Sequence, residues 1–430
     1  MYKRQTATCL DSTLTDAKAA VTIKYGSGQN LLVLVPGQTH KPGSSTGKQG
    51  TPQNQTAGVE FTVSVYLCDD YWNIKTDSSV VVSVDGNDPY GIDPLAKMIT
   101  GWGTYKLTFK TAWQGTSPAT WTVTATATDW TSYTSDKITV EPNVVSHLQV
   151  LLPGETADPG SSTGKADSPA VQTAGEAFTI TVNAVDAYWN IQPSSNPIVT
   201  ISANTPYFEK QSDHGLVNGT TTFWVILKDA ERDPWNITVS TADGSNIGDD
   251  TSSNISVVPN TVQKLLLLAP GETWDPGSDD GRENTPDSQI AGVTFTLTIR
   301  TVDAYWNKTD SAANVKLTTT DPNKGEVTGI AFVGEQSQDY TFRTANNSWT
   351  ITVSTTDGAN YSSHTTQSIY VKPNSATQLL ILVPGETFDE GSMDGKEGSP
   401  LNQTAGVSFD ISVLACDFAF NRTTATPTVG

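Results

Sequence analysis

The sequence predicts an all-β protein built as a row of small β-sandwiches. Three observations carry this prediction. A recognisable segment recurs four times, its strands alternate apolar and polar residues with a period of two, and no helical periodicity competes with them. The composition agrees, because β-branched Thr suits a pleated surface while the abundant Gly, Pro, Asn and Ser punctuate it.

The repeat is the first element to justify. Leu31-Leu32-Val33-Leu34-Val35-Pro36-Gly37 returns at Leu148 to Gly154, Leu265 to Gly271 and Leu379 to Gly385. The copies lie about 115 residues apart, the size of one small domain. A fixed distance after each of these prolines stands an aspartate: Asp69, Asp186, Asp303 and Asp417. Between the two landmarks runs an alternating strand. Phe61, Val63, Val65 and Leu67 share one face in the first copy, and Phe178, Ile180, Val182 and Ala184 in the second. Phe295, Leu297, Ile299 and Thr301 follow in the third. One apolar face at period two marks a half-buried antiparallel strand. A later strand recurs as Trp121-Val123-Ala125, Trp235-Ile237-Val239 and Trp349-Ile351-Val353, whose tryptophans are expected to anchor the cores. Chain length varies only in the loops between these landmarks, as on a fixed scaffold. Six or seven short strands in a unit of this size describe an immunoglobulin-like sandwich.

Three full copies are therefore expected, at 30–146, 147–263 and 264–377. Residues 1–29 read as the end of a repeat, with Thr6 to Asp11 matching Thr124 to Asp129. Lys3 stands where a core Trp belongs, so residues 1–5 are expected to be foreign to the repeat. Met1-Tyr2-Lys3-Arg4-Gln5 resembles the translated end of a transposon adapter. Residues 378–430 read as the first half of a fourth copy. Each terminal half would expose a half-covered core, weakly stable by itself. Mutual complementation of these halves between chains would make a filament.

Bulk properties narrow the function. The chain has 430 residues, 36% hydrophobic and 16% charged, and a net charge of −20. That sign excludes binding to phosphate backbones, so no nucleic acid partner is expected. No apolar stretch is long enough to span a membrane, and nothing at the start reads as a signal peptide. Cys9, Cys68 and Cys416 fall in different repeats, so no disulfide within a repeat is expected. His40, His147, His214 and His364 occupy unrelated positions without zinc-ligand spacing. Phosphate loops and nucleophile elbows are missing as well, and no enzymatic activity is expected.

Two features remain as candidate sites. Asp-x-Tyr-Trp-Asn follows the alternating strand as Asp69 to Asn73, Asp186 to Asn190 and Asp303 to Asn307; the fourth copy reads Asp417, Ala419, Phe420, Asn421. Asp and Asn there are expected to bond turn backbone, with the aromatic pair lidding the core. The alternative is a sugar-stacking platform at Trp72, Trp189 and Trp306. The second feature is a Pro/Gly-rich insertion of about twenty residues after the first strand, longer than ordinary connections. Asp275, Asp279, Asp280 and Glu283 in its third copy form a candidate calcium site, since calcium takes six to eight oxygens. Lys41 replaces the matching aspartate in the first copy, which favours a solvated loop.

Thr-Ala-Gly-x-x-Phe-Thr-x-x-Val, followed by Asp-x-Tyr-x-Asn, resembles the bacterial immunoglobulin-like repeats of large secreted and cell-surface proteins. The resemblance spans residues 30–430. It departs from that family in placing Trp where Gly is usual. What it implies is an extracellular, non-catalytic stalk or adhesin; calcium, suggested by the acidic loop and not by the resemblance, is the one cofactor to consider. Other copies of the repeat would be its partners, together with surface glycans or proteins of a neighbouring cell. The alternatives are carbohydrate-binding or spacer modules of a secreted enzyme, or a filament subunit.

Overall fold

The computed structural model describes residues 2–7, 17–114, 117–232, 234–426 and 428. Every regular element among them is a strand. The protein is an all-β chain of immunoglobulin-like sandwiches.

The second repeat shows the plan. His147–Leu151, Ala177–Val185, Thr220–Leu227 and Phe208–Lys210 pair in that order as one antiparallel sheet. His214–Gly215, Ile198–Ala203, Ile237–Thr241 and Asp250–Thr251 make the facing sheet. Gln172–Thr173, arriving after the long loop, runs parallel to Val257–Val258 at the end of the repeat. The third repeat follows the same scheme, with Gln289–Ile290 parallel to Ile369–Lys372. In the first, a parallel contact between Thr131 and Asn30 and an antiparallel one between Trp102 and Thr100 close the strands into a barrel.

Three separate cores result, and the alternation read from the sequence is what fills them. Val63, Val65 and Leu67 are fully buried, as are Ile180, Val182 and Ala184, and Leu297 and Ile299. Each such side chain contributes roughly 1.5–3 kcal/mol by leaving water. Thr301 occupies an apolar position without penalty because its hydroxyl donates to the Thr309 carbonyl at 2.9 Å. Of the three late-strand tryptophans, only Trp235 is wholly inside its core. Trp121 and Trp349 pack at the rims of theirs. All three indole N–H groups donate to a nearby carbonyl, at Thr111, Asp229 and Thr344.

Terminal segments differ from these. Tyr2–Ala7 pairs with Ala17–Thr22 as a hairpin, and residues 2–5 continue the register of that strand. Cys9 lies outside the described residues. Gln378–Leu382 pairs with Ser412–Cys416, and Leu379, Ile381, Phe409 and Ile411 are each about half exposed. The face that the other copies bury is open there.

Cys68 and Cys416, on the strand face opposite the main core, are free and fully buried. They sit on that face, but the long loop and the motif aromatic (Trp72 or Phe420) cover them.

One buried titratable group makes the third repeat sensitive to acid. His364 Nδ1 accepts the Leu267 N–H at 3.1 Å, the place that Asp250 takes beneath Val150 in the second repeat. Burial, reinforced by the nearby Arg282 charge, pushes the His364 imidazole down to about 4. Its folded pKa is thus below its unfolded value near 6.5, so the neutral ring stabilises the fold above that pH. As pH falls from about 6.5 through about 4, up to roughly 3 kcal/mol of that stability is lost. Denaturation of the third repeat measured across this window should show the decline. His364→Asn, which keeps an acceptor without a titrating ring, should remove its pH dependence.

Candidate functional site: the junctions between repeats

The Asp-x-Tyr-Trp-Asn turn does more than close its own sandwich. Asp186 is fully buried, and its Oδ1 accepts the N–H groups of Tyr188 at 2.8 Å and Asn190 at 3.0 Å. Its Oδ2 reaches back 43 residues to the linker and accepts the Asn143 N–H at 2.8 Å. Asp303 does the same with Asn260 at 2.9 Å, and Asp417 with Asn374 at 3.0 Å, each again 43 residues upstream. Gly26 stands at this position before Asp69 and also donates its N–H. Burial pushes the Asp69 carboxyl upward, but the N–H donors of Gly26, Asn73 and Tyr71 outweigh it. They hold it below the usual carboxylate range.

Asparagine at the end of the motif grips the preceding repeat directly. Asn190 Oδ1 accepts the Ala112 N–H at 2.7 Å, and its Nδ2 donates to the Lys110 carbonyl at 2.8 Å. Asn307 repeats this on Ala230 and Lys228 at 2.6 and 2.8 Å. Asn421 repeats it on Ala345 and Arg343 at 2.8 and 2.9 Å. All three asparagines are fully buried, so these bonds form out of competition with water. The linker asparagine adds a third tie. Nδ2 of Asn143, Asn260 and Asn374 donates to the carbonyls of Ala57, Ala174 and Ala291 in the preceding repeat.

An aromatic ring fills the remaining gap. Gly58 and Gly175 adopt φ of +75° and +78°, and a Cβ on either would run into the ring of Tyr188 or Tyr305 from the next repeat. At the third junction the motif has Ala419 in place of the tyrosine, and Phe418, one residue earlier, packs on Gly292 instead. The lid is kept while its sequence position shifts. Tyr90 and Tyr207 further bridge the first two junctions, each hydroxyl donating to a loop carboxylate of the next repeat, Asp158 or Asp275.

Trp72, Trp189 and Trp306 do not converge; each serves its own copy and is half-buried. Their φ values of 63°, 66° and 69°, with 61° at Phe420, lie in the left-handed region that bulky residues avoid. Glycine would adopt such a turn without strain. In exchange for strain of order 1 kcal/mol, each ring lies on a loop glycine: Gly47, Gly164, Gly281 or Gly395. These contacts pin the long loop to the sandwich. A cation in the loop reinforces them, through Lys48–Asp136 at 2.9 Å, Lys165–Asp250 at 3.5 Å and Arg282 donating to the Thr365 carbonyl at 3.2 Å.

The candidate calcium residues are dispersed around this loop. Asp275 receives the Tyr207 hydroxyl, Asp280 lies 3.5 Å from Arg282, and Asp279 and Glu283 face solvent. No group of three or more His, Cys, Asp or Glu side chains gathers among the described residues.

The Thr-Ala-Gly motif and the Pro-Asn linker are visible in the sequence, but the contacts of their asparagines and glycines across the junction are not. Pro-Asn recurs at Pro142-Asn143, Pro259-Asn260 and Pro373-Asn374, and Ala-Gly at Ala57-Gly58, Ala174-Gly175 and Ala291-Gly292.

No family model matches the chain, and no curated protein matches it. Among solved structures, trypsin-activated α2-macroglobulin of Escherichia coli aligns at 11% identity over 95% of this chain and 31% of that one, with a TM-score of 0.25. Domains 5–6 of the S-layer protein SbsC align at 17% over 54% of this chain and all of that one, with a TM-score of 0.19. Chicken CNTN1 FN1–FN3 aligns at 10% over 74% and 100%, with a TM-score of 0.22. The chain spans less than a third of the length of the first structures it matches. No helix among the described residues is long and apolar enough to cross a membrane.

Proposed function

We propose that this chain is a non-catalytic segment of an extracellular stalk or adhesin, similar to bacterial immunoglobulin-like repeat proteins, whose latched junctions resist bending. The observation that carries this reading is the recurrence of one junction. The same aspartate, linker asparagine and terminal asparagine meet equivalent backbone atoms of the preceding repeat three times over. A flexible string of domains needs no such bonds. A spacer that keeps its reach does, because its length then grows with copy number. The buried motif carboxylates have their oxygens engaged by protein donors, which leaves them unsuited to act on a substrate.

Small-angle scattering tests this. The double variant Asn190→Ala, Asn307→Ala removes two buried hydrogen bonds at each of two junctions, about 1–3 kcal/mol per junction. It should turn the profile of a stiff particle into that of linked, independently moving bodies while the three cores stay folded. Identical profiles for variant and parent would refute the reading.

A further inference from the structure

The first junction encloses a groove that neither repeat makes alone. Its volume is about 660 Å³, within the range of small-molecule sites. Tyr90 and Lys110 of the first repeat form one wall; Asp158, Ser162, Tyr188 and Trp189 of the second form the rest. Trp189 rests one face on Gly164 and meets His147 edge-on at 4.3 Å, and its remaining surface lines the groove. Lys110 Nζ sits 5.9 Å from the Tyr188 ring centre and makes no ion pair among the described residues.

The equivalent places at the other junctions are built differently. At the second, Glu209 neutralises Lys228 at 2.8 Å, and Asp279 and Asp280 replace Ser162 and Thr163. The third keeps aromatic rings through Phe418 and Phe420 but has Met393 and Asp394 where Ser162 and Thr163 stand. Only the first combines aromatic walls, a hydroxyl-bearing lip and an uncompensated ammonium.

We infer that the groove between the first and second repeats binds a saccharide carrying a carboxylate. The sugar ring lies against the aromatic walls, its hydroxyls meet the Ser and Thr hydroxyls of the lip, and its carboxylate pairs with Lys110. Asp158, already holding the Tyr90 hydroxyl, repels the carboxylate and so favours its pairing with Lys110. This rests on the latch, because both walls are in place only while the junction is closed.

Titration of the full chain with a glucuronate-containing tetrasaccharide at low salt, read by tryptophan fluorescence and calorimetry, tests the assignment. Saturable one-to-one binding is expected, weakened about tenfold by Lys110→Gln, the loss of one charge-assisted contact. Lys228→Gln should leave it unchanged. Trp189→Phe, which keeps the packing that Phe420 makes in the fourth copy, should weaken it several-fold. No saturation by roughly 10 mM, equal binding of a neutral tetrasaccharide, or indifference to Lys110→Gln would each overturn it. Gly58→Ala separates this inference from the latch, since its Cβ wedges the junction open. Open scattering with undiminished binding overturns the groove, whereas a parent chain already open in scattering overturns the latch.

Discussion

Asp186→Ala is expected to cost the second repeat about 3–5 kcal/mol and to free it from the first at the same time. The carboxylate accepts the N–H groups of Tyr188, Asn190 and Asn143 and the Asn190 side-chain amide, all in a site closed to water. Removing it leaves those donors buried without partners, and each costs about 1–3 kcal/mol when no water can replace the acceptor. Asn190 also loses the hold that aims it at Ala112 and Lys110. Two readouts should therefore move together: the denaturation midpoint of the second repeat and the scattering signature of the first junction. Asp186→Asn, which keeps one acceptor oxygen, should fall between. A variant that loses stability yet keeps a stiff junction would show that the aspartate serves only its own turn.

Trp235→Ala should have a comparable energetic effect and a different consequence. Among the described residues Trp235 is the largest wholly buried side chain, and its indole N–H donates to the Asp229 carbonyl at 2.6 Å. Truncation leaves a cavity in the second core and an unmet carbonyl, a loss of about 3–5 kcal/mol. Total stabilities of small domains are about 5–15 kcal/mol, so the second repeat should stand close to its unfolding threshold. The first and third repeats, whose cores share no residue with it, should keep their own transitions. Hydrogen exchange resolved along the chain would show protection lost between residues 147 and 258 and retained elsewhere. Loss of protection in all three repeats would mean that the junctions couple folding as well as orientation.

Much of this fold was legible in the residues. Alternation in Phe61 to Leu67 and its later copies decides which face of a strand is buried, because side chains project to opposite faces at period two. The recurrence of that strand with the same flanking landmarks decides that one sandwich is made several times. Asp-x-Tyr-Trp-Asn was correctly placed in a turn, since Asp69, Asp186 and Asp303 all bond the backbone of the next few residues.

What the turn does for its neighbour was not legible, and the reason is physical. The partners of Asn190, Asn307 and Asn421 are main-chain N–H and C=O groups lying 76 to 80 residues away. Backbone groups are the same in every residue, so no side-chain pattern announces them. The lid at the third junction moved from the tyrosine position to Phe418, because a ring in space can be supplied from either side of a tight turn. The acidic loop suggested a cation site through residue type alone. Whether carboxylates converge depends on where a hairpin points them, and here one meets a tyrosine, one an arginine and two the solvent. Local pattern therefore determined the strands, the repeat and the turn. Only tertiary structure decided which surfaces those turns would hold together, because that depends on distances between segments far apart in the chain.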